Sequence, residues 1–373
     1  MKIDCMPCGI GQVVYLLKET EKNEKITKYS SIKGNVIPFC ISIPLWCSIC
    51  KFWVGGVEAF FVLSSFFLTR KFLYASKLEV KKQFIHRIRR LYPPYILVLV
   101  IGIAWAVMHR RIPYDLASHM LSIQNFQWIV TGYSSSMQLM TAHTWTLSIE
   151  IWLGFLWLVF LKTFSGKNLK RCVLLMGLLG IIYRIATILV GYNVYVISLC
   201  PLAHMDAFAL GTLVAIKTKE FDKEPNCRLR EFSWVLVILG LAGIMLTIGM
   251  LSYHNGISFL EGYQLLSSSV NYLNHIITGN IYLYLSSLSA GIIGILYMYD
   301  SIGITHNNWF YKVFEWIGNK SYALYLFHWP FVVVCKALFG RWYISFIVCG
   351  VMSVLFEVVY SGFSKKMFKA CRE

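Results

Sequence analysis

His143-Thr144-Trp145-Thr146-Leu147-Ser148-Ile149-Glu150-Ile151-Trp152-Leu153-Gly154-Phe155-Leu156-Trp157-Leu158-Val159-Phe160-Leu161 decides the fold class. From Trp145 onward the run is apolar apart from Thr146, Ser148 and Glu150, and Lys162 closes it. A stretch of about 17–25 such residues crosses roughly 30 Å of hydrocarbon as a helix. It shows none of the alternation of a barrel strand, and only structures that satisfy their own backbone can span lipid. An acid inside such a run is costly and therefore marks a candidate site.

The pattern repeats along the 373 residues, which are 57% hydrophobic and 14% charged with a mean hydropathy of +0.60. Spans are expected over 35–50, 53–73, 92–108, 145–162, 172–191, 196–216, 233–252, 281–299, 313–335 and 342–362. The expected fold is all-α, a polytopic integral membrane bundle of about ten transmembrane helices. It divides into an N-terminal segment over 1–33, one transmembrane domain over 34–364 and a tail over 365–373. No repeat or low-complexity linker breaks it further.

Connections alternate in charge. Arg70, Lys71, Lys77, Lys81, Lys82, Arg87, Arg89 and Arg90 fall together, as do Lys162 to Arg171 and Lys217 to Arg230. The segment 109–143 holds only Arg110 and Arg111, and 253–280 holds no Lys or Arg. The positive-inside rule places the basic loops and both termini in the cytoplasm, with the chain multi-pass in the cytoplasmic membrane. The net charge of +17 then belongs beside anionic lipid, so the lipid bilayer is the expected partner and nucleic acid is not. Cys5/Cys8 and Cys47/Cys50 have the spacing of zinc knuckles. A zinc ribbon needs both pairs in one aqueous fold and the second pair ends an apolar run, so no metal is expected.

Further polar groups interrupt the hydrophobic sequence. His86-Arg87-Ile88-Arg89-Arg90-Leu91-Tyr92-Pro93-Pro94-Tyr95 sets three guanidinium groups just before prolines that can open a helix. Arginine forks bind phosphate bidentately, although plain membrane anchoring also accounts for them. Gly55-Gly56-Val57-Glu58 to Ser64 places a carboxylate near one end of an aromatic helix with small residues further along. His143 and Glu150 lie seven residues apart, about two turns, and can share a face if the helix begins early enough. In that arrangement Glu150 orients or deprotonates, and His143 is a candidate base. Trp145 lies between them. Asp206, in an apolar run with His204, is expected to pair with Arg184, a pairing more structural than catalytic in character. His328 sits mid-span before Pro330, as a site residue or a satisfied core histidine.

The order of these segments resembles the acyltransferase-3 family of integral membrane acyltransferases. The resemblance covers about 53–362 and rests on Gly56 to Ser64, on Arg87 and Arg90 before Tyr92-Pro93, on Trp145 to Glu150 with Thr146 in a serine position, and on Ser321-Tyr322 to Pro330. It implies about ten helices, an acyl-CoA donor reached from the cytoplasm, acetyl-CoA by default, and a sugar hydroxyl of a surface glycan or lipid-linked sugar as acceptor. Arg87, Arg90 and, beside them, Arg89 would contact donor phosphates. Glu150 and Trp145 would face the central cavity, and Glu58, Ser64, Asp206 and His328 are further candidates for lining it.

One departure bears on catalysis. The family carries a first-span histidine eleven residues after a basic residue, whereas here Pro44 stands eleven residues after Lys33, and no histidine precedes His86. A shifted reading frame between about Gly34 and Phe52 is one reading. A natural variant with impaired catalysis is the other. A transporter or flippase, or a noncatalytic membrane binding protein, is the rival to transfer chemistry. A transporter is expected to carry internal repeat symmetry, which the sequence does not display.

Overall fold

The computed structural model describes residues 53–75, 79–131, 137–164, 166–192, 197–224, 227–266 and 272–301, with scattered positions from Tyr322 to Val358. Among the described residues every regular element is helical. The long ones are α1 (Trp53–Tyr74), α2 (Val80–Met108), α3 (Trp145–Thr163), α4 (Leu169–Leu189), α5 (Met205–Lys223), α6 (Cys227–Asn255) and α7 (Ile281–Ser301). Single 3₁₀ turns, Ala142–Thr144 and Pro201–His204, lead into α3 and α5.

Five stretches among the described residues are long and apolar enough to cross a membrane: Val80–Met108, Ala142–Thr163, Leu169–Leu189, Arg228–Asn255 and Leu273–Met298. Their surfaces invert the pattern of a soluble helix. In α4, Leu174, Leu178 and Ile182 face outward, while Val173, Gly177, Gly180 and Arg184 are buried. An apolar exterior around a polar-punctuated interior is the arrangement lipid favours. The expected span over 35–50, and most of those over 313–335 and 342–362, lie outside the described residues.

Two boundaries differ from expectation. The segment expected to begin at Tyr92 is a helix from Val80, running through Pro93 and Pro94 without a break. Proline in a helix interior removes a hydrogen bond to the carbonyl four residues earlier, here those of Arg89 and Arg90. The next carbonyl, Leu91, accepts from the Tyr322 hydroxyl at 2.6 Å. The segment expected over 196–216 starts as the 3₁₀ turn at Pro201, and α5 then continues to Lys223 through the charged run Lys217 to Lys223.

α1 lies at the centre, in contact with α3, α5 and α7. Its C-terminal end is fixed by Asp222 of α5, which accepts from Tyr74 Oη and, from α7, Tyr297 Oη, both at 2.5 Å, with Arg70 at 3.5 Å. Lys170 at the start of α4 meets Glu220 at 2.5 Å. These contacts gather the basic ends of α1, α4 and α5 on one face, as the alternating charge of the connections requires. At the opposite end Asn125 donates to the carbonyls of Trp145 (2.9 Å) and Leu199 (3.0 Å), tying the start of α3 to the approach to α5.

The α1–α5 contact depends on Gly211. A Cβ there would run into Ser65 Oγ and the Val62 carbonyl oxygen, so the two backbones touch where only glycine fits, as small residues permit in membrane helices. Ser65 folds back onto the same carbonyl at 2.9 Å. Gly211→Ala is therefore expected to destabilise the bundle by about 1–3 kcal/mol through overpacking. Thermal unfolding in detergent micelles checks this, with Gly249→Ala, where a Cβ meets nothing within 4 Å, as the neutral control.

Candidate functional site

Two buried polar groups of residues meet around α1. The first is built on Arg87. Arg87 and Arg90 are three residues apart on α2 and turn to the same side, whereas Arg89 is turned to the exterior. Arg87 is fully packed, and its Nη2 donates to Glu150 Oε1 at 2.7 Å and to Ser64 Oγ at 2.9 Å. Arg90 Nη2 lies 4.0 Å from the same Glu150 oxygen. One carboxylate thus sits between two guanidinium groups, with side-chain exposures of 4%, 8% and 1% for Arg87, Arg90 and Glu150.

Gly154 completes this arrangement. It lies one turn after Glu150 on α3, so both face Arg87, and a Cβ on it would stand 2.9 Å from Arg87 Cζ. The guanidinium occupies the space that a side chain at position 154 would take. Its Nε and Nη1 are buried and hydrogen-bonded to nothing among the described residues, as is the Ser148 hydroxyl. A buried guanidinium with two uncommitted N–H groups is a ready partner for an anionic oxygen.

The second group is built on Glu58 and His204. Glu58 is wholly buried. Its Oε1 lies 2.5 Å from His204 Nδ1, and its Oε2 accepts from Ser286 Oγ at 2.7 Å. His204 Nε2 lies 2.8 Å from the Ser198 carbonyl oxygen. Trp145 (6.0 Å), Phe61 (4.8 Å) and Tyr282 (5.6 Å) surround the imidazole. Two residues on, Asp206 receives Arg184 Nη1 and Nη2 at 2.9 and 2.6 Å, and Arg184 also donates to the Ala203 carbonyl. The expected Arg184 pairing is formed, and it occupies both oxygens of Asp206.

Glu58, Ser64, Trp145, Glu150, Arg87 and Asp206 thus all face the interior. His143 is also buried and sits in the 3₁₀ turn before α3. Its Nε2 donates to the Leu326 carbonyl at 3.0 Å, while Tyr325 Oη reaches the His143 carbonyl and Thr146 Oγ1. Glu150 meets the arginines. His328 lies outside the described residues. Among those described, no group of three His, Cys, Asp or Glu forms a metal site.

Sequence reasoning missed Gly154, Ser286 and the partner of Glu58. Gly154 had a usable signal, the one-turn spacing from Glu150. The Glu58–His204 contact joins residues 146 positions apart, and no local pattern encodes it.

A family model for an acyltransferase domain matches residues 52–362, and the chain belongs to that family of acyltransferases. Peptidoglycan O-acetyltransferase OatA of Listeria monocytogenes is 28% identical over 310 residues, covering 75% of this chain and 45% of that protein. The chain thus spans a little under half the length of that relative. No solved structure matches it.

Removing one partner of a buried ion pair strands the other, at a cost of about 3–5 kcal/mol, whereas replacing both by apolar groups is often neutral. Glu150→Leu should therefore lower the unfolding midpoint sharply, and Arg87→Met with Glu150→Leu should recover most of the loss. Chemical denaturation of the two variants in micelles measures the difference.

Proposed function

We propose that this acyltransferase moves an acyl group, acetyl by default, from acyl-CoA to a hydroxyl of a cell-surface glycan, across the cytoplasmic membrane and with its basic face in the cytoplasm. The observation that carries the reading is the Arg87 guanidinium, buried against Gly154 with Nε and Nη1 bonded to nothing among the described residues. An always-charged fork of this kind suits the phosphate oxygens of a nucleotide-bearing donor. Glu150 holds Arg87 in place and lies near Arg90, and Arg89, facing outward, is left to the membrane surface.

The depth of the two groups fits a donor and an acceptor arriving from opposite sides. Ser64 and Glu58 are six residues apart on α1, about 9 Å along the axis. Ser64, with Arg87, lies nearer the basic end, and Glu58, with His204, nearer the other. A donor entering from the basic side would reach the arginines first, and its pantetheine arm would carry the thioester outward. The relative's name, a peptidoglycan O-acetyltransferase, supports a glycan acceptor. Membership of an acyltransferase family favours transfer over the transporter and noncatalytic readings.

A sugar hydroxyl attacks a thioester slowly without help, so the site must position the two and stabilise the charge that develops on the carbonyl oxygen. A dry interior strengthens each such contact. Trp145 packs beside the His204 ring at 6.0 Å, and Ser64 Oγ accepts from Arg87 Nη2.

Arg90→Ala is expected to weaken acetyl-CoA binding about tenfold while leaving membrane insertion intact, since charge-assisted hydrogen bonds contribute roughly 1.5–3 kcal/mol each. Equilibrium binding of radiolabelled acetyl-CoA to the full chain in nanodiscs tests it. Unchanged donor affinity would remove this cluster from donor recognition.

A further inference from the structure

The Glu58–His204 contact has a definite proton count. His204 Nε2 faces a backbone carbonyl oxygen, which only accepts, so Nε2 carries a hydrogen. Its Nδ1 faces Glu58 Oε1 at 2.5 Å, and the other carboxyl oxygen is occupied by the Ser286 hydroxyl. One further proton must therefore lie between Nδ1 and Oε1, giving either an imidazolium against a carboxylate or a neutral ring against a carboxylic acid. Beside this pair, Arg184 and Asp206 cancel one another. The buried quartet is electrically neutral only with that proton in place, and an uncompensated charge in such surroundings is strongly disfavoured.

A structural strut does not require this arrangement. A neutral imidazole donating Nδ1–H to Glu58 would already join α1 to α5. The additional proton leaves an N–H aimed at a carbonyl oxygen and reinforced from behind by an acid. The ring is buried among Trp145, Phe61 and Tyr282, where a donor acts with little competition from water.

Resting on the acyl-transfer reading above, we propose that His204 is a further catalytic residue. Its Nε2–H is the hydrogen-bond donor to the thioester carbonyl oxygen, Glu58 and Ser286 position and charge it, and the Ser198 carbonyl occupies it between turnovers. As the acceptor oxygen bonds to the carbonyl carbon, the C=O electron pair moves onto the carbonyl oxygen, where Nε2–H stabilises it. The pair returns as the C–S bond breaks, its electrons go to sulfur, and the proton given up by the hydroxyl ends on the thiol. The products are ester and free thiol, and His204 and Glu58 are unchanged. The role requires no histidine in the segment before His86.

The test uses the full chain in proteoliposomes, with acetyl-CoA as donor and soluble peptidoglycan fragments as acceptor. His204→Leu removes the N–H and should lower kcat about 10²–10³-fold, the usual effect of losing one oxyanion donor, with acetyl-CoA affinity within about twofold of wild type. Glu58→Gln keeps an N–H on Nε2 but removes the charge behind it, so its kcat should fall less, about tenfold, again without loss of donor affinity. A structural role would instead move stability and both kinetic constants together, and that pattern overturns the proposal. Wild-type kcat in either variant also overturns it, and Glu58→Gln decides alone should His204→Leu not fold. If the unaltered chain binds acetyl-CoA yet transfers nothing, the acyl-transfer reading fails and this assignment fails with it. If the unaltered chain is active and the variants equal it, only the assignment of His204 fails.

Discussion

Charge inside an apolar bundle must be paired, and that requirement organises this molecule. Arg87 with Glu150 joins α2 to α3, Arg184 with Asp206 joins α4 to α5, and Glu58 with His204 and Ser286 joins α1 to the 3₁₀ turn that leads into α5 and to α7. Apolar surface alone gives little reason for one helix to choose another in lipid, because the tails are as apolar as leucine. The buried pairs and the close backbone approach at Gly211 supply that choice. They fix which helices touch and at what rotation.

The same pairs prepare a site. Arg87 is held by Glu150 and Ser64 and lies close against Gly154, yet its Nε and Nη1 have no hydrogen-bond partner among the described residues. His204 is held by Glu58 with a donor N–H turned the other way. Groups locked by their neighbours lose little freedom when a substrate arrives, which is where preorganised electrostatics gains its advantage over water. Their partners on α1, Ser64 and Glu58, are six residues apart, which sets the two groups about 9 Å apart along that helix.

Much of this was legible in the sequence because lipid makes polar residues conspicuous. The helical class, the alternating basic connections and the Arg184–Asp206 pair follow from charges standing in apolar runs, and the family from the resemblance of its motifs taken in order. Relations across helices did not follow. His143 and Glu150 are close in sequence and at a spacing that puts them on one face, but spacing does not name their partners: Glu150 accepts from Arg87, 63 positions earlier, and His143 Nε2 donates to the Leu326 carbonyl. The Pro93-Pro94 pair reads as a helix start, yet the helix runs through it from Val80. Of three neighbouring arginines, only the rotation of α2 decides that two turn inward and Arg89 does not. These outcomes depend on which helices meet, which local spacing does not contain.

The measurement that bears most directly on the account is the fate of labelled acetyl when the full chain in proteoliposomes is given acetyl-CoA on its basic face and peptidoglycan fragments on the other. The account predicts label in ester linkage on a sugar hydroxyl, with one free thiol released per ester formed. Thiol release with the label recovered only as acetate, or fragments crossing the bilayer unacetylated, would contradict it.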